Sequence, residues 1–134
     1  MGIKSPRVLV VDDDSNSRAL CSINLLLEGL EVLEAEDGKR GLARALQESP
    51  DLVVTDVAMP GLNGFELAEA LRRDESTAQI PLIFLSGELD SDNEVRAHSL
   101  GALAYVTKPF DPPAFAKLVA GALTRRRTRP VPID

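Results

Sequence analysis

The feature that most constrains the fold is a short apolar run that ends in a carboxylate. Residues Leu52-Val53-Val54-Thr55 lead directly into Asp56, and Pro60-Gly61 follow as a turn signal. A continuous, β-branched run of this length is typical of a strand buried on both faces, as in a parallel sheet. Asp56 would then lie where that strand ends, either as a turn residue or as a functional carboxylate.

The rest of the chain repeats the same alternation. Apolar runs that predict strands begin at Arg7, Glu31, Leu52, Pro81 and Leu103, and a helical pattern follows each of them. Five strand–helix units of this kind predict an α/β fold, with a parallel sheet covered by helices on both faces. We expect one domain over residues 1–124, and a basic, proline-containing tail or linker over 125–134, with Arg125, Arg126, Arg127 and Arg129.

Two helices carry informative patterns. In the first, Leu20, Ile23 and Leu27 recur at i, i+3 and i+7, which predicts one apolar inner face. The fourth begins at Ser91-Asp92-Asn93-Glu94, which has the spacing of a capping box. Only Val95 and Ala97 offer it apolar packing, so we expect the fourth helix to be thinly packed.

Composition narrows the functional classes. The formal charge is −6, so we expect no direct nucleic-acid binding by this domain. The single cysteine, Cys21, excludes an internal disulfide and fits a reducing compartment. No run approaches membrane-spanning length, and the N-terminus lacks a signal-peptide pattern. These observations predict a cytoplasmic protein that does not contact membranes.

Residues able to do ionic chemistry end four of the five predicted strands. They are Asp12, Asp13, Asp56, Ser86 and Lys108. Parallel strands bring their carboxyl ends to one edge of the sheet, where ligands of such folds bind. Clustered carboxylates favour Mg²⁺, which takes hard oxygen ligands. Asp56 is then a nucleophile for a phosphoryl group, Lys108 pairs with Asp56 or a phosphoryl oxygen, and Ser86 donates to another oxygen.

The chain resembles the receiver domain of two-component response regulators. The resemblance rests on residues 8–14, 51–61, 64–67, 82–87 and 101–110, and it covers the chain from about Arg7 to Leu123. It implies a doubly wound (βα)5 flavodoxin-like fold with strand order 2-1-3-4-5. It also implies that Asp56 is phosphorylated by a phosphohistidine on a histidine kinase or phosphotransfer protein.

The resemblance assigns further roles. Asp13, Asp56 and the backbone carbonyl of Ala58 would bind Mg²⁺ directly, and Asp12 mainly through water, with Mn²⁺ or Ca²⁺ able to substitute. Phosphorylation would draw Ser86 inward and let Tyr105 rotate to a buried position. The surface of the fourth helix, fifth strand and fifth helix would then change, to control a downstream protein or attached output domain, or to form a homodimer. The bond from Lys108 to Pro109 is typically cis in this family.

Two positions depart from the usual receiver pattern. Ala58 lacks the polar side chain often found two residues after the acceptor, and Gly87 replaces the usual small alanine. Side chains at Ala58 and Glu88 tune phosphoryl lifetime in the family, so we expect a lifetime different from that of regulators with Asn or Lys at the first position.

Two other functions fit parts of the pattern. In a haloacid-dehalogenase-like phosphatase, Asp12 and Asp14 would form the strand-end Asp-x-Asp pair, but Asp56 would have no role and the later acidic pair is missing after Lys108. A degenerate receiver that only docks is disfavoured, because every residue needed for phosphorylation is present. The sequence therefore predicts a phosphoacceptor switch that promotes its own phosphorylation and dephosphorylation, rather than an enzyme.

Overall fold

Five strands alternate with five helices along the chain. The computed structural model describes residues 5–88 and 90–127. The elements are β1 (Arg7–Val11), α1 (Ser15–Leu27), β2 (Glu31–Ala35), α2 (Gly38–Glu48), β3 (Leu52–Asp56), α3 (Gly64–Arg73), β4 (Leu82–Ser86), α4 (Ser91–Ser99), β5 (Ala102–Thr107) and α5 (Pro112–Arg127). All strand pairs are parallel, in the order β2-β1-β3-β4-β5. The predicted fold class and strand order are confirmed.

The central strand β3 is buried along its whole length, as its apolar run predicts. Alternate side chains of a strand point to opposite faces. Leu52 and Val54 accordingly join the core layer under α1 and α5, whereas Val53 joins the layer under α2, α3 and α4. Because both faces are covered, every position of the strand is apolar except near its carboxyl end.

The strand register brings the chemically active residues to one edge of the sheet. Val11 pairs with Thr55, so Asp12 and Asp56 leave their strands side by side. Ser86, the last residue of β4, pairs with Thr107, and Lys108 follows directly. Gly64, the first residue of α3, packs so closely on the Asp56 carbonyl that a Cβ there would overlap it.

The predicted inner face of α1 is wrong. Leu20, Ile23 and Leu27 are 51%, 55% and 77% exposed, and Cys21 and Leu25 face the core instead. The helix carries two apolar stripes, and periodicity alone cannot tell which of them faces the sheet. Burial of Cys21 itself agrees with its interpretation as a small core residue.

Helix caps also refine the predictions. Asp14 caps α1 by accepting a hydrogen bond from the amide of Asn16. The capping box predicted at Ser91 is wrong: Asp90 is the N-cap of α4, and it accepts from the Asp92 amide. A true capping box lies instead on α3, where Asn63 and Glu66 satisfy each other's backbone amides.

The last helix extends beyond the expected domain boundary at Thr124. It runs to Arg127, while residues 128–134 and the side chains of Arg125–Arg127 lie outside the described residues. The interpretation of residues 125–134, Arg129 included, as a basic tail or linker therefore stays a prediction. Within the described ranges, no helix combines the length and the hydropathy needed to cross a bilayer.

Candidate phosphoacceptor site

The site centres on the carboxylate of Asp56 and the ammonium of Lys108. Lys108 Nζ lies 3.1 Å from Asp56 Oδ2 and 3.1 Å from Asp12 Oδ2. Asp12 is fully buried and Asp56 nearly so, whereas the Lys108 side chain is 23% exposed. The sequence predicted that Lys108 could pair with Asp56, but not that it would bridge two carboxylates.

Three carboxylates converge at this edge of the sheet, two of which contact Lys108. One oxygen each of Asp12, Asp13 and Asp56 lies within 4.8 Å of the other two. Asp12 is fixed further because its Oδ1 accepts a 3.0 Å hydrogen bond from the Asp14 amide. One lysine cannot neutralise three negative charges, and the donor set consists only of oxygens. The cluster therefore fits a hard divalent cation such as Mg²⁺.

Burial and mutual repulsion set the protonation of the site. Burial raises the pKa of the Asp56 carboxyl, the charge of Lys108 opposes this, and Asp12 adds to it; the net pKa is raised. Burial lowers the pKa of Lys108, but its hydrogen bond to Asp12 and the charge of Asp56 outweigh that effect, so the net pKa is also raised. Lys108 is therefore charged at neutral pH, and the Asp56 carboxylate is poorly solvated.

Ser86 and Tyr105 meet at the backbone of Glu88. Ser86 Oγ donates to Glu88 O at 3.2 Å and accepts from Glu88 N at 3.1 Å. Tyr105 donates its hydroxyl to the same Glu88 carbonyl at 2.9 Å. Tyr105 is half-buried in this structure. The two predicted switch residues are thus connected through a third residue, whose contribution is its main chain.

Ala58 lies two residues beyond Asp56 and is exposed at the rim of the site. A groove of about 600 Å³ opens beside it, lined by Val57, Ala58, Met59, Pro60, Asn63, Phe65, Asn93 and Arg96. A groove of about 970 Å³ lies at the opposite edge of the sheet, near Arg7, Asp51 and Pro81. The site is thus identified by its chemistry, not by cavity size.

Some supporting residues could not be found from sequence. Arg18 donates from Nη1 to the Asp12 carbonyl at 2.7 Å and pairs with Glu34 at 3.0 Å, which fixes the chain where β1 ends. Glu88 acts through its carbonyl, which every residue has. Gly64 offered a weak signal, because glycine lacks a Cβ and so permits a close backbone approach.

Two further features of the site concern the side chain of Asp14 and the bond between Lys108 and Pro109. The Asp14 side chain is engaged at the N-cap of α1, so it does not form a strand-end pair with Asp12. This position disfavours the phosphatase interpretation. The bond between Lys108 and Pro109 is cis, as the resemblance implied.

Comparison with known proteins agrees with this geometry. A family model described as the response regulator receiver domain matches residues 8–120. The DNA-binding dual master transcriptional regulator RpaA of Synechocystis sp. is 40% identical over 127 residues, which are 95% of this chain and 52% of the relative. The chain therefore spans about half the length of that relative.

Shorter proteins match over nearly their whole length. Protein PilH of Pseudomonas aeruginosa is 38% identical over 117 residues, covering 87% of this chain and 97% of PilH. The chemotaxis protein CheY4 of Vibrio cholerae superposes with a TM-score of 0.82 at 31% identity, covering 88% of this chain and 98% of that structure. The chain thus matches about half of one relative and nearly the whole length of two others.

Proposed function

Because this chain belongs to the family of response regulator receiver domains, we propose that Asp56 accepts a phosphoryl group from a phosphohistidine of a histidine kinase or phosphotransfer protein. One observation carries the proposal. The Asp56 carboxylate ends a fully buried strand, and its Oδ2 lies 3.1 Å from Lys108 Nζ. One oxygen each of Asp12, Asp13 and Asp56 lies within 4.8 Å of the other two, so one metal ion could bind all three.

Asp56 supplies the nucleophilic oxygen. Its side chain is only 10% exposed, and this burial raises its pKa, so the carboxylate is less masked by water than an exposed aspartate. An oxygen–phosphorus bond to Asp56 forms as the nitrogen–phosphorus bond of the donor breaks. The bonding pair stays on the donor imidazole, which takes up a proton. The product is an aspartyl phosphate.

Lys108 holds the reacting carboxylate and its neighbour. Its ammonium bridges Asp56 and Asp12, so it fixes the direction of the nucleophile and pairs with a phosphoryl oxygen once one is present. Asp12, Asp13, Asp56 and the Ala58 carbonyl would hold Mg²⁺, with Asp12 acting mainly through water. The ion, when bound, offsets the negative charge of the carboxylates and the phosphoryl group.

Ser86 and Tyr105 change their contacts when Asp56 is phosphorylated. Both hydroxyls donate to Glu88 O before phosphorylation. When Ser86 turns inward to donate to a phosphoryl oxygen, the Glu88 carbonyl loses one of its two donors and the loop before α4 loosens. Tyr105 then rotates to a buried position, and the surface of α4, β5 and α5 changes. The domain acts as a switch that promotes its own phosphorylation and dephosphorylation.

The switched surface controls a partner protein or an attached output domain. The receiver family supports this part of the proposal, with residues 1–124 as the receiver and 125–134 as a tail or linker whose first three residues continue α5. Homodimerisation after phosphorylation is one form that the control takes. A cytoplasmic location, with no direct nucleic-acid or membrane contact by this domain, belongs to the same proposal.

The test is direct phosphorylation by a small donor. The protein is incubated with Mg²⁺ and acetyl phosphate, and the adduct is quantified by intact mass. We expect one acid-stable, base-labile phosphoryl group, which Asp56→Asn abolishes and Asp13→Asn strongly reduces. Asp14→Asn is the matched control, since this neighbouring acid serves the α1 cap. An adduct on Asp56→Asn, or none on the wild type, would contradict the proposal.

The lifetime of the adduct tests the role of Ala58. Its methyl group leaves the rim of the groove beside the site open to water. We expect Ala58→Asn to change the decay rate of the adduct in Mg²⁺ after the donor is removed, and Pro60→Ala, further along the same loop, to leave it unchanged. Equal decay rates in the wild type and Ala58→Asn would remove this part of the proposal.

A further inference from the structure

We infer that α4 is hinged at its C-terminal end, where the side chain of Arg72 holds the backbone, and that the N-terminal half of α4 is the part that moves. Arg72 is a positioning residue on the neighbouring helix α3. The inference concerns the unmodified protein. It therefore does not depend on Asp56 accepting a phosphoryl group.

The guanidinium of Arg72 binds three backbone carbonyls from two segments. Nε donates to Leu100 O at 2.9 Å, and Nη1 donates to Ala78 O at 3.0 Å and to Ile80 O at 2.8 Å. Leu100 is the C-cap residue of α4. Hydrogen bonds from a charged donor are stronger than neutral ones, and partial burial protects them from water. Arg72 thus ties the end of α4 to the loop before β4.

The turn after α4 is shaped around this contact. Gly101 has a φ of +82°, which favours glycine, and a Cβ there would lie 3.5 Å from Arg72 Nη2. The Leu100 amide donates to the carbonyls of Arg96 and Ala97 at 3.1 Å. Side-chain and backbone bonds therefore fix the same residues at the end of α4.

Apolar packing reinforces the same end of the helix. All nine residues of α4 are described, and Ala97 is the one that is buried. Leu100, just beyond, packs on the core layer under α2, α3 and α4. Toward the N-terminus Ser91 and Asp92 are exposed, Asn93 and Glu94 are only half-buried, and the central Val95 is 68% exposed; beyond Ala97, His98 and Ser99 are exposed, so the buried apolar contacts are those of Ala97 and Leu100. Restraint on α4 therefore increases from its N-terminus to its C-terminus.

A weaker contact holds α4 one residue before Ala97, at the start of its last turn. Arg96 Nη2 lies 3.0 Å from Glu69 Oε2, and the guanidinium lies 4.6 Å from the centre of the Phe65 ring. The two charged side chains are 46% and 36% exposed, and ion pairs this exposed contribute little. The contact of Arg96 with Glu69 and Phe65, called the latch below, therefore breaks readily. The hydrogen bonds of Arg72 to the three carbonyls, called the pin, are the stronger attachment.

The free end of the helix is the end next to the site. Gly87 and Glu88 follow β4, Asp90 caps α4, and Glu88 O accepts from both Ser86 and Tyr105. A helix pinned at Leu100 converts a small displacement of these residues into a tilt. The far end stays in register with β5.

Spin-label distances in the full chain test the hinge. One nitroxide is placed on exposed α2 by Gln47→Cys, and a second on α4 by either Asp92→Cys or Ser99→Cys; all three sites are exposed. Cys21 does not compete for the label, because it is buried and burial raises its pKa to about 12. In the unmodified protein with Mg²⁺, we expect a broader distance distribution between the labels at positions 47 and 92 (the 92 pair) than between those at 47 and 99 (the 99 pair).

Variants then separate the pin from the latch. Arg72→Lys keeps the charge but loses the forked geometry, so it should broaden the 99 pair, while the matched control Arg73→Lys on the same helix should not. Glu69→Gln should broaden the 92 pair alone. Equal widths in the wild type, an unchanged 99 pair in Arg72→Lys, or equal broadening in Arg73→Lys would overturn the inference. If Arg72→Lys does not fold, the wild-type widths and Glu69→Gln still decide it.

Discussion

Helices α3 and α4 cover the same side of the sheet but are attached to it in different ways. Of the ten residues of α3, five are buried, and a capping box closes its first turn. Of the nine residues of α4, one is buried, and two arginines supply much of its attachment. Apolar burial fixes an element, whereas a few polar contacts allow it to shift. Helix α3 is therefore a rigid support for the site, whereas α4 is the part that moves.

The largest expected effect contrasts one side chain on each helix. Leu71 is fully buried, and Leu71→Ala should lower the free energy of unfolding by about 2–5 kcal/mol because it removes packing and leaves a cavity. Val95→Ala on α4 should change it by less than about 0.5 kcal/mol. Urea unfolding measures both. Similar losses in the two variants would show that α4 is packed as firmly as α3.

The next effect contrasts two glycines near the site. Gly64→Ala would place a methyl group against the Asp56 carbonyl, so it should cost about 1–3 kcal/mol and reduce phosphorylation. Gly87→Ala faces open space in the loop before α4, and it should be neutral or stabilise by up to about 1 kcal/mol. Urea unfolding and adduct formation are measured for both. A harmless Gly64→Ala would mean that the start of α3 is not rigid.

The buried carboxylate of Asp56, at the end of β3 where α3 begins to pack, is itself unfavourable for folding. Its pKa is raised in the folded protein, so its contribution to stability is present below the ordinary carboxyl pKa and is lost as pH rises through the folded value. Without divalent metal, Asp56→Asn should therefore be more stable than the wild type at neutral pH. The difference should shrink as pH falls towards about 4. A wild type as stable as Asp56→Asn at neutral pH would mean that Lys108 fully compensates the charge.

The smallest expected effect concerns the latch on α4. Glu69→Gln removes an exposed pair and should cost only about 0.2–1 kcal/mol, less at high salt. Glu75→Gln in the loop after α3 is the matched control, because it is exposed and removes the same charge. Urea unfolding at two salt concentrations separates the variants. A loss above 2 kcal/mol would make Arg96 a structural anchor.

The sheet was predictable because its signals are local. The apolar run into Asp56 could be interpreted without its neighbours, and alternation with helices then required parallel strands. Asp12, Asp56, Ser86 and Lys108 followed, since parallel strands end at one edge. The strand order was not deduced from the residues; it came from the family resemblance and is confirmed.

Other features were missed because the sequence does not encode them locally. Leu20 and Ile23 form as good a stripe as Cys21 and Leu25, and only packing decides which one is buried. The hydrogen bonds made by Arg72 end on carbonyls, which carry no residue signature. The same is true of Glu88, whose carbonyl joins Ser86 to Tyr105.

The bridge made by Lys108 has a consequence during synthesis. Lys108 is 96 residues from Asp12 and 52 from Asp56 in the chain, and it binds both. A nascent polypeptide that has exposed β1 and β3 outside the ribosome already contains Asp12 and Asp56, but it does not yet contain the lysine that bridges them. Because Lys108 follows β5, the contact that joins the carboxyl ends of β1 and β3 forms only after the first five strands have all been synthesised.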